Sequence, residues 1–189
     1  MRARDADGLH VASMRVARKR MMDSLSNAIE RFESKYDWDS FNGAFWHFRW
    51  AKDWQIYHWR DFEEFYGEHC DYEWSHAQEL LSSDEAFIIP DFLLRTVKDD
   101  LLKLARERME VLVSHAIERV RTQYPAGSYD EQLWHFRWGR DCRIYHWRDF
   151  EDFYGENSSY EWYHATELWV SDEEFVIPEF LLHAVAKDF

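Results

Sequence analysis

The chain repeats itself. Residues 46–68, WHFRWAKDWQIYHWRDFEEFYGE, return 88 residues later at 134–156 as WHFRWGRDCRIYHWRDFEDFYGE, without a gap. YEWSHAQEL at 72–80 returns as YEWYHATEL at 160–168, and SDEAFIIPDFLL at 83–94 returns as SDEEFVIPEFLL at 171–182. Upstream, NAIER at 27–31 matches HAIER at 115–119. About 36 of 56 positions from Trp46 onward are identical, so any structure one copy adopts must be open to the other. Two copies are too few for a solenoid with separate caps. The expectation is a pair of halves packed with pseudo-twofold symmetry, like a dimer fused into one chain.

Within each copy the apolar spacing is helical. Met14, Met21, Leu25, Ala28, Ile29, Phe32 and Tyr36 fall three and four residues apart, which predicts an amphipathic helix over 14–36. Its counterpart, 102–124, follows Pro90 without a breaker. Pro90 suits a first helical turn, so one long helix over about 90–124 joins the copies and ends at Pro125-Ala-Gly-Ser128. Asp53 and Asp141 read as N-caps, with Gly67 and Gly155 as C-caps. Between Asp53 and Gly67, the residues Trp54, His58, Phe62, Phe65 and Tyr66 share one helical face. A further helix follows Asp71 and Ser159. Trp46, Phe48 and Trp50 alternate with His47 and Arg49, which marks 46–50 and 134–138 as a short hairpin or irregular segment. The fold expected is all-α: two tandem helical repeats, 14–101 and 102–189, preceded by a flexible basic arm over 1–13.

Composition narrows the function. There are 23 Lys+Arg against 37 Asp+Glu, a net charge of -14, and 19% of residues are aromatic. A chain so rich in aromatics buries a core rather than remaining disordered. Its acidity opposes direct binding of nucleic acid or an anionic membrane, both of which need a basic face. Cys70 and Cys142 form no CxxC pair, and neither faces a cysteine in the other copy: Cys70 matches Ser158, and Cys142 matches Trp54. With no apolar run of membrane-spanning length and no leader pattern, a cytoplasmic protein is expected. No GxGxxG, P-loop, GxSxG or HExxH pattern is present, so nothing marks an enzyme.

Three constellations remain. Glu73-x-x-His76 and Glu161-x-x-His164 each place a carboxylate and an imidazole on one helical face. With Glu30 and Glu118, the chain reads Glu, Glu-x-x-His, Glu, Glu-x-x-His. This order resembles the ligand pattern of ferritin-like di-iron proteins, a resemblance that implies a di-iron site and covers only those residues. Helical phase points Glu30 and Glu118 away from the apolar stripe, which opposes a site in a bundle core. A smaller site is one metal per copy, iron or zinc, held by His58, Glu73 and His76 and by His146, Glu161 and His164. A bound metal would also admit an oxidoreductase. The repeated aromatics Trp46, Trp50, Trp59, Tyr66, Tyr72 and Trp74 read as core, with a sugar-stacking platform as the other reading.

The third constellation is acidic. Asp61, Glu64, Glu68, Asp84 and Glu85 recur as Asp149, Asp152, Glu156, Asp172 and Glu173. A carboxylate-rich face steers and docks a basic protein, as inhibitors, immunity-type proteins and nucleic-acid mimics do. The function expected is non-enzymatic binding of a basic partner, with no cofactor. The metal-binding protein is the alternative.

Overall fold

In the computed structural model, residues 3–36, 45–82, 84, 86–170 and 174–189 are described. They divide into two compact units, Ser13–Val97, and Met1–Ala12 with Lys98–Phe189.

The first unit is built on the α1 helix (Ala3–Lys35), which enters it at Ser13. A hairpin follows, β1 (Phe48–Trp50) and β2 (Ile56–His58), then α2 (Trp59–Tyr66), α3 (Cys70–His76) and β3 (Gln78–Glu79). The sheet is antiparallel in the order β2-β1-β3, with Phe48 opposite His58, Arg49 opposite Tyr57 and Trp50 opposite Ile56. Alternation sets its faces: Phe48, Trp50, Ile56 and His58 point inward and are buried, while Arg49 and Tyr57 face the other way. The inward set packs on Met21, Leu25 and Ala28 of α1 and on Leu80. A second cluster, Ala51, Phe62 and Cys70, lies under Tyr57, Trp59, Tyr66 and Trp74.

Arginines tie these layers together. Arg49 donates to the Trp74 carbonyl at 2.7 Å and to Glu79 at 2.8 Å, and its guanidinium lies 4.9 Å from the Trp74 ring centre. Arg31 donates from α1 to the Ile56 carbonyl at 2.6 Å.

The second unit repeats this plan on the α4 helix (Asp91–Gln123), with β4 (Phe136–Trp138), β5 (Ile144–His146), α5 (Trp147–Tyr154), α6 (Ser158–His164) and β6 (Thr166–Glu167). The register is the same 88 residues on: Phe136 opposite His146, and Trp138 opposite Ile144. Its core is Met109, Val113, Ala116, Val120, Phe136, Trp138, Ile144, Leu168 and Leu181. Arg119 and Arg137 take the places of Arg31 and Arg49, donating to the Ile144 and Trp162 carbonyls at 2.6 Å each. After β6 the copies keep the same antiparallel pairing: Trp169 faces Phe175 in strands β7 (Trp169–Val170) and β8 (Glu174–Phe175), as Leu81 faces Phe87 in the first unit, and Val176 N–H donates to the Leu168 carbonyl as Ile88 N–H does to that of Leu80. The α7 helix (Glu179–Val185) closes the unit.

The expected all-α fold, two 88-residue helical repeats packed with pseudo-twofold symmetry, is overturned by these sheets. What recurs is a mixed α/β block. The physical reason lies in residues 51–55. Ala51 and Gln55 close a tight hairpin, with the Ala51 N–H donating to the Gln55 carbonyl at 2.8 Å, so β2 occupies the stretch that helical spacing assigned to a helix. Helix α1 starts at Ala3 and so takes in most of residues 1–13. Among the described residues, no helix is long and apolar enough to cross a membrane.

Candidate functional site

The hairpin turn is the first component. Trp54 has φ 64° and Cys142 φ 62°, the left-handed region that favours glycine. Both sit at the end of a three-residue loop, where a turn followed by a left-handed residue closes the hairpin. Asp53, expected as a helix N-cap, secures this turn instead. Its Oδ1 accepts from the Gln55 N–H at 3.1 Å, and its Oδ2 accepts from the Tyr57 hydroxyl at 2.9 Å. Asp141 holds Arg143 and Tyr145 in the same way, at 3.2 and 2.7 Å.

The N-cap of α2 is His58, and that of α5 is His146. In each, Nδ1 accepts from the backbone N–H two residues on, Arg60 or Arg148, at 3.1 Å. Asp61 and Asp149 answer by accepting from the His58 and His146 N–H groups at 3.2 and 2.9 Å. This is a capping box with histidine in the place of serine or threonine. An accepting Nδ1 leaves the neutral ring's proton on Nε2, and His146 Nε2 donates it to the Asp130 carbonyl at 2.9 Å. Burial, with His47 beside it, pushes the His58 pKa down to about 4. Burial lowers that of His146 too, against the Asp130 carbonyl, which favours the charged form.

The candidate metal ligands have other partners. Glu73 pairs with Lys52 at 2.7 Å, and Glu161 with Arg140 at 2.9 Å. His76 Nδ1 lies 2.8 Å from the Tyr72 carbonyl, and the His164 ring packs on Tyr160. Glu73 and His76 do line one cavity of about 280 Å³ with Trp50 and Trp54, but His58 is not among its lining residues. Among the described residues, no three His, Cys, Asp or Glu side chains converge as metal ligands. Glu30 and Glu118 are exposed.

The feature present in both copies is a pocket over Tyr57 and Tyr145. The first, about 400 Å³, is lined by the end of α1 (Lys35), the hairpin turn (Ala51–Asp53), Tyr57, and Asp61, Phe62, Glu64, Phe65 and Tyr66 of α2. The second, about 450 Å³, uses Gln123, Gly139–Asp141, Tyr145, Asp149, Phe150, Asp152, Phe153 and Tyr154 at the matching positions, with Arg119. Each sets three carboxylates and two basic side chains around its aromatic residues: Asp53, Asp61 and Glu64 with Lys35 and Lys52 in the first, and Asp141, Asp149 and Asp152 with Arg119 and Arg140 in the second. On each rim stands a phenylalanine that a core would bury: Phe65 is 82% exposed and Phe153 81%. Hydrogen bonding to Lys35, and then to Tyr36, holds the Glu64 carboxyl below its ordinary range.

No family model, characterised protein or solved structure matches the chain.

Of the acidic residues expected to meet a partner, Asp61, Glu64, Asp149 and Asp152 belong to these pockets. Glu68 and Glu156 follow on exposed 3-10 turns, and Asp84 is exposed in a separate turn. Glu85, Asp172 and Glu173 lie outside the described residues. The aromatics divide: Trp50 is buried, Trp59, Tyr66 and Trp74 are half-buried, and Trp46 and Tyr72 are exposed. Sequence reasoning missed Lys35, Tyr57, Phe65 and their counterparts as pocket residues. Helical spacing set Phe65 on the face of Phe62, so the sequence carried no signal of its exposure.

Proposed function

We propose that the protein is a non-enzymatic docking protein whose acidic, aromatic-walled pockets receive cationic side chains of a basic protein partner. The supporting observation is the recurrence of one pocket at equivalent positions of both copies, with two carboxylates of α2 or α5 beside an exposed phenylalanine. A cation placed there gains ion pairing from the carboxylates and attraction to the ring faces. The surrounding net charge of -14 adds long-range steering, which raises association rates for basic partners.

The test is a titration of the intact protein with poly-L-lysine and with poly-L-glutamate at low and at 0.5 M salt. Binding of the polycation alone, weakening steeply with salt, is expected. Equal binding of both polymers, or none of the polycation at low salt, refutes the proposal.

A further inference from the structure

The two pockets differ at one charged position. In the first, Lys35 projects from the last turn of α1, and its Nζ is paired with Glu64 and, at 3.4 Å, with Asp61. The ammonium lies 5.2 Å from the Tyr36 ring centre, and the Tyr36 hydroxyl donates to Glu64 at 2.9 Å. Eighty-eight residues on stands Gln123, which carries no charge. There the Tyr124 hydroxyl lies between two carboxylates, 3.2 Å from Asp149 and 2.7 Å from Asp152. Arg119 reaches Asp149 at 3.2 Å, but Asp152 has no ion pair among the described residues. Burial and the flanking carboxylates raise the Tyr124 pKa, so the phenol is neutral and leaves their charge in place.

Resting on the docking function proposed above, we infer that the carboxylates of the first pocket are already paired with the chain's own Lys35, and that the second, at Asp152, is the open receptor for a lysine side chain of the partner. The first copy shows the ligand chemistry directly: a primary ammonium held by the carboxylates of α2 above a tyrosine ring. The second retains the carboxylates, the tyrosine and the exposed phenylalanine; Arg119 pairs with Asp149 there, and no cation takes the place of Lys35 beside Asp152 among the described residues. A primary ammonium suits the place, because it is a compact charge with three donors, matching two carboxylates and a phenol oxygen. The pairing with Lys35 also disables the first pocket toward weak partners. A tethered ammonium competes at an effective concentration on the order of millimolar, so a partner lysine must outbid it there but not at Asp152.

The experiment uses the full chain and the peptide acetyl-Lys-Lys-Lys-Lys-amide, with its fully Nζ-acetylated form as control, at low salt. Backbone amide NMR follows Tyr57 and Phe65 in one pocket and Tyr145 and Phe153 in the other. The unmodified peptide is expected to shift the second pair and not the first. Gln123→Lys, an exposed change at the end of α4, weakens binding at least tenfold, and Asp152→Asn weakens it severalfold. Lys35→Gln opens the first pocket, so that both pairs of amides shift. Equal response of both pockets in the unaltered protein overturns the inference, as does Gln123→Lys binding within twofold of it. Those results leave docking of basic partners standing. Failure of the peptide to bind either the unaltered protein or Lys35→Gln overturns both readings.

Discussion

Acidification from about pH 7.5 to pH 5 should destabilise the protein through its histidine caps, before most carboxylates titrate. His58 is 6% exposed, its ring packed against Phe32 at 4.0 Å between centres, and its Nδ1 is committed as an acceptor. Protonation there turns the acceptor into a donor facing the Arg60 N–H, and sets a positive charge at the positive end of α2. The native pKa, about 4, lies below the unfolded value. The unfolded chain therefore binds more protons between these values, and stability falls as pH falls. The contribution is complete above about pH 6.5 and is lost progressively toward pH 4. With an unfolded value of about 6.5, His58 alone accounts for about 2 kcal/mol between pH 7.5 and pH 5, and about 3 kcal/mol by pH 4. His146 acts in the same direction. Urea unfolding across this range, followed by far-UV circular dichroism, measures the sum. The His58→Asn/His146→Asn variant keeps a side chain that caps helices well but does not titrate, so its baseline stability drops while the slope flattens. A stability constant within 0.5 kcal/mol from pH 7.5 to 5, or a His58 imidazole titrating near 6.5 by NMR, would refute the reasoning.

Two further predictions concern the hairpin and the core. Cys142→Gly removes a left-handed backbone cost of about 1–2 kcal/mol and adds about 0.4–1 kcal/mol of unfolded-chain entropy, so a net gain of about 0.5–1 kcal/mol is expected in the same unfolding assay; a loss contradicts the strain assigned to the turn. Phe136→Ala should cost about 3–5 kcal/mol, whereas Phe153→Ala, on the rim, should stay within about 0.5 kcal/mol of the unaltered protein; similar costs for the two contradict the division between core and pocket.

The sequence made the long helices legible because their stripes are long. Met21, Leu25, Ala28 and Phe32 recur at helical spacing over several turns, and all four are buried. Gly67 was legible as a helix end: its φ is 51°, and its N–H donates to the Glu63 carbonyl. The sheets were legible only in part: alternation marked 46–50 and 134–138, where β1 and β4 lie, but the remaining strands were hidden by brevity. Strand β2 has three residues and β3 has two, too few for alternation to outweigh the helical spacing from Trp54 through His58 to Phe62. Asp53 misled because aspartate secures turns by the same side-chain-to-backbone bond with which it caps helices. The pockets were invisible for another reason. Lys35, Asp53, Tyr57 and Glu64 come from four separate elements, and only the folded hairpin brings them to one cavity.

The left-handed turn of the second copy has a practical consequence. Its residue is Cys142, exposed on the loop beside the pocket residues Arg140 and Asp141. The other thiol, Cys70, is buried in the small cluster beneath Tyr57, and burial pushes its pKa up. A maleimide fluorophore added near neutral pH therefore attaches selectively at Cys142. The unaltered chain thus carries its own attachment point beside the Tyr145 pocket, where an optical reporter can follow ligand arrival in real time.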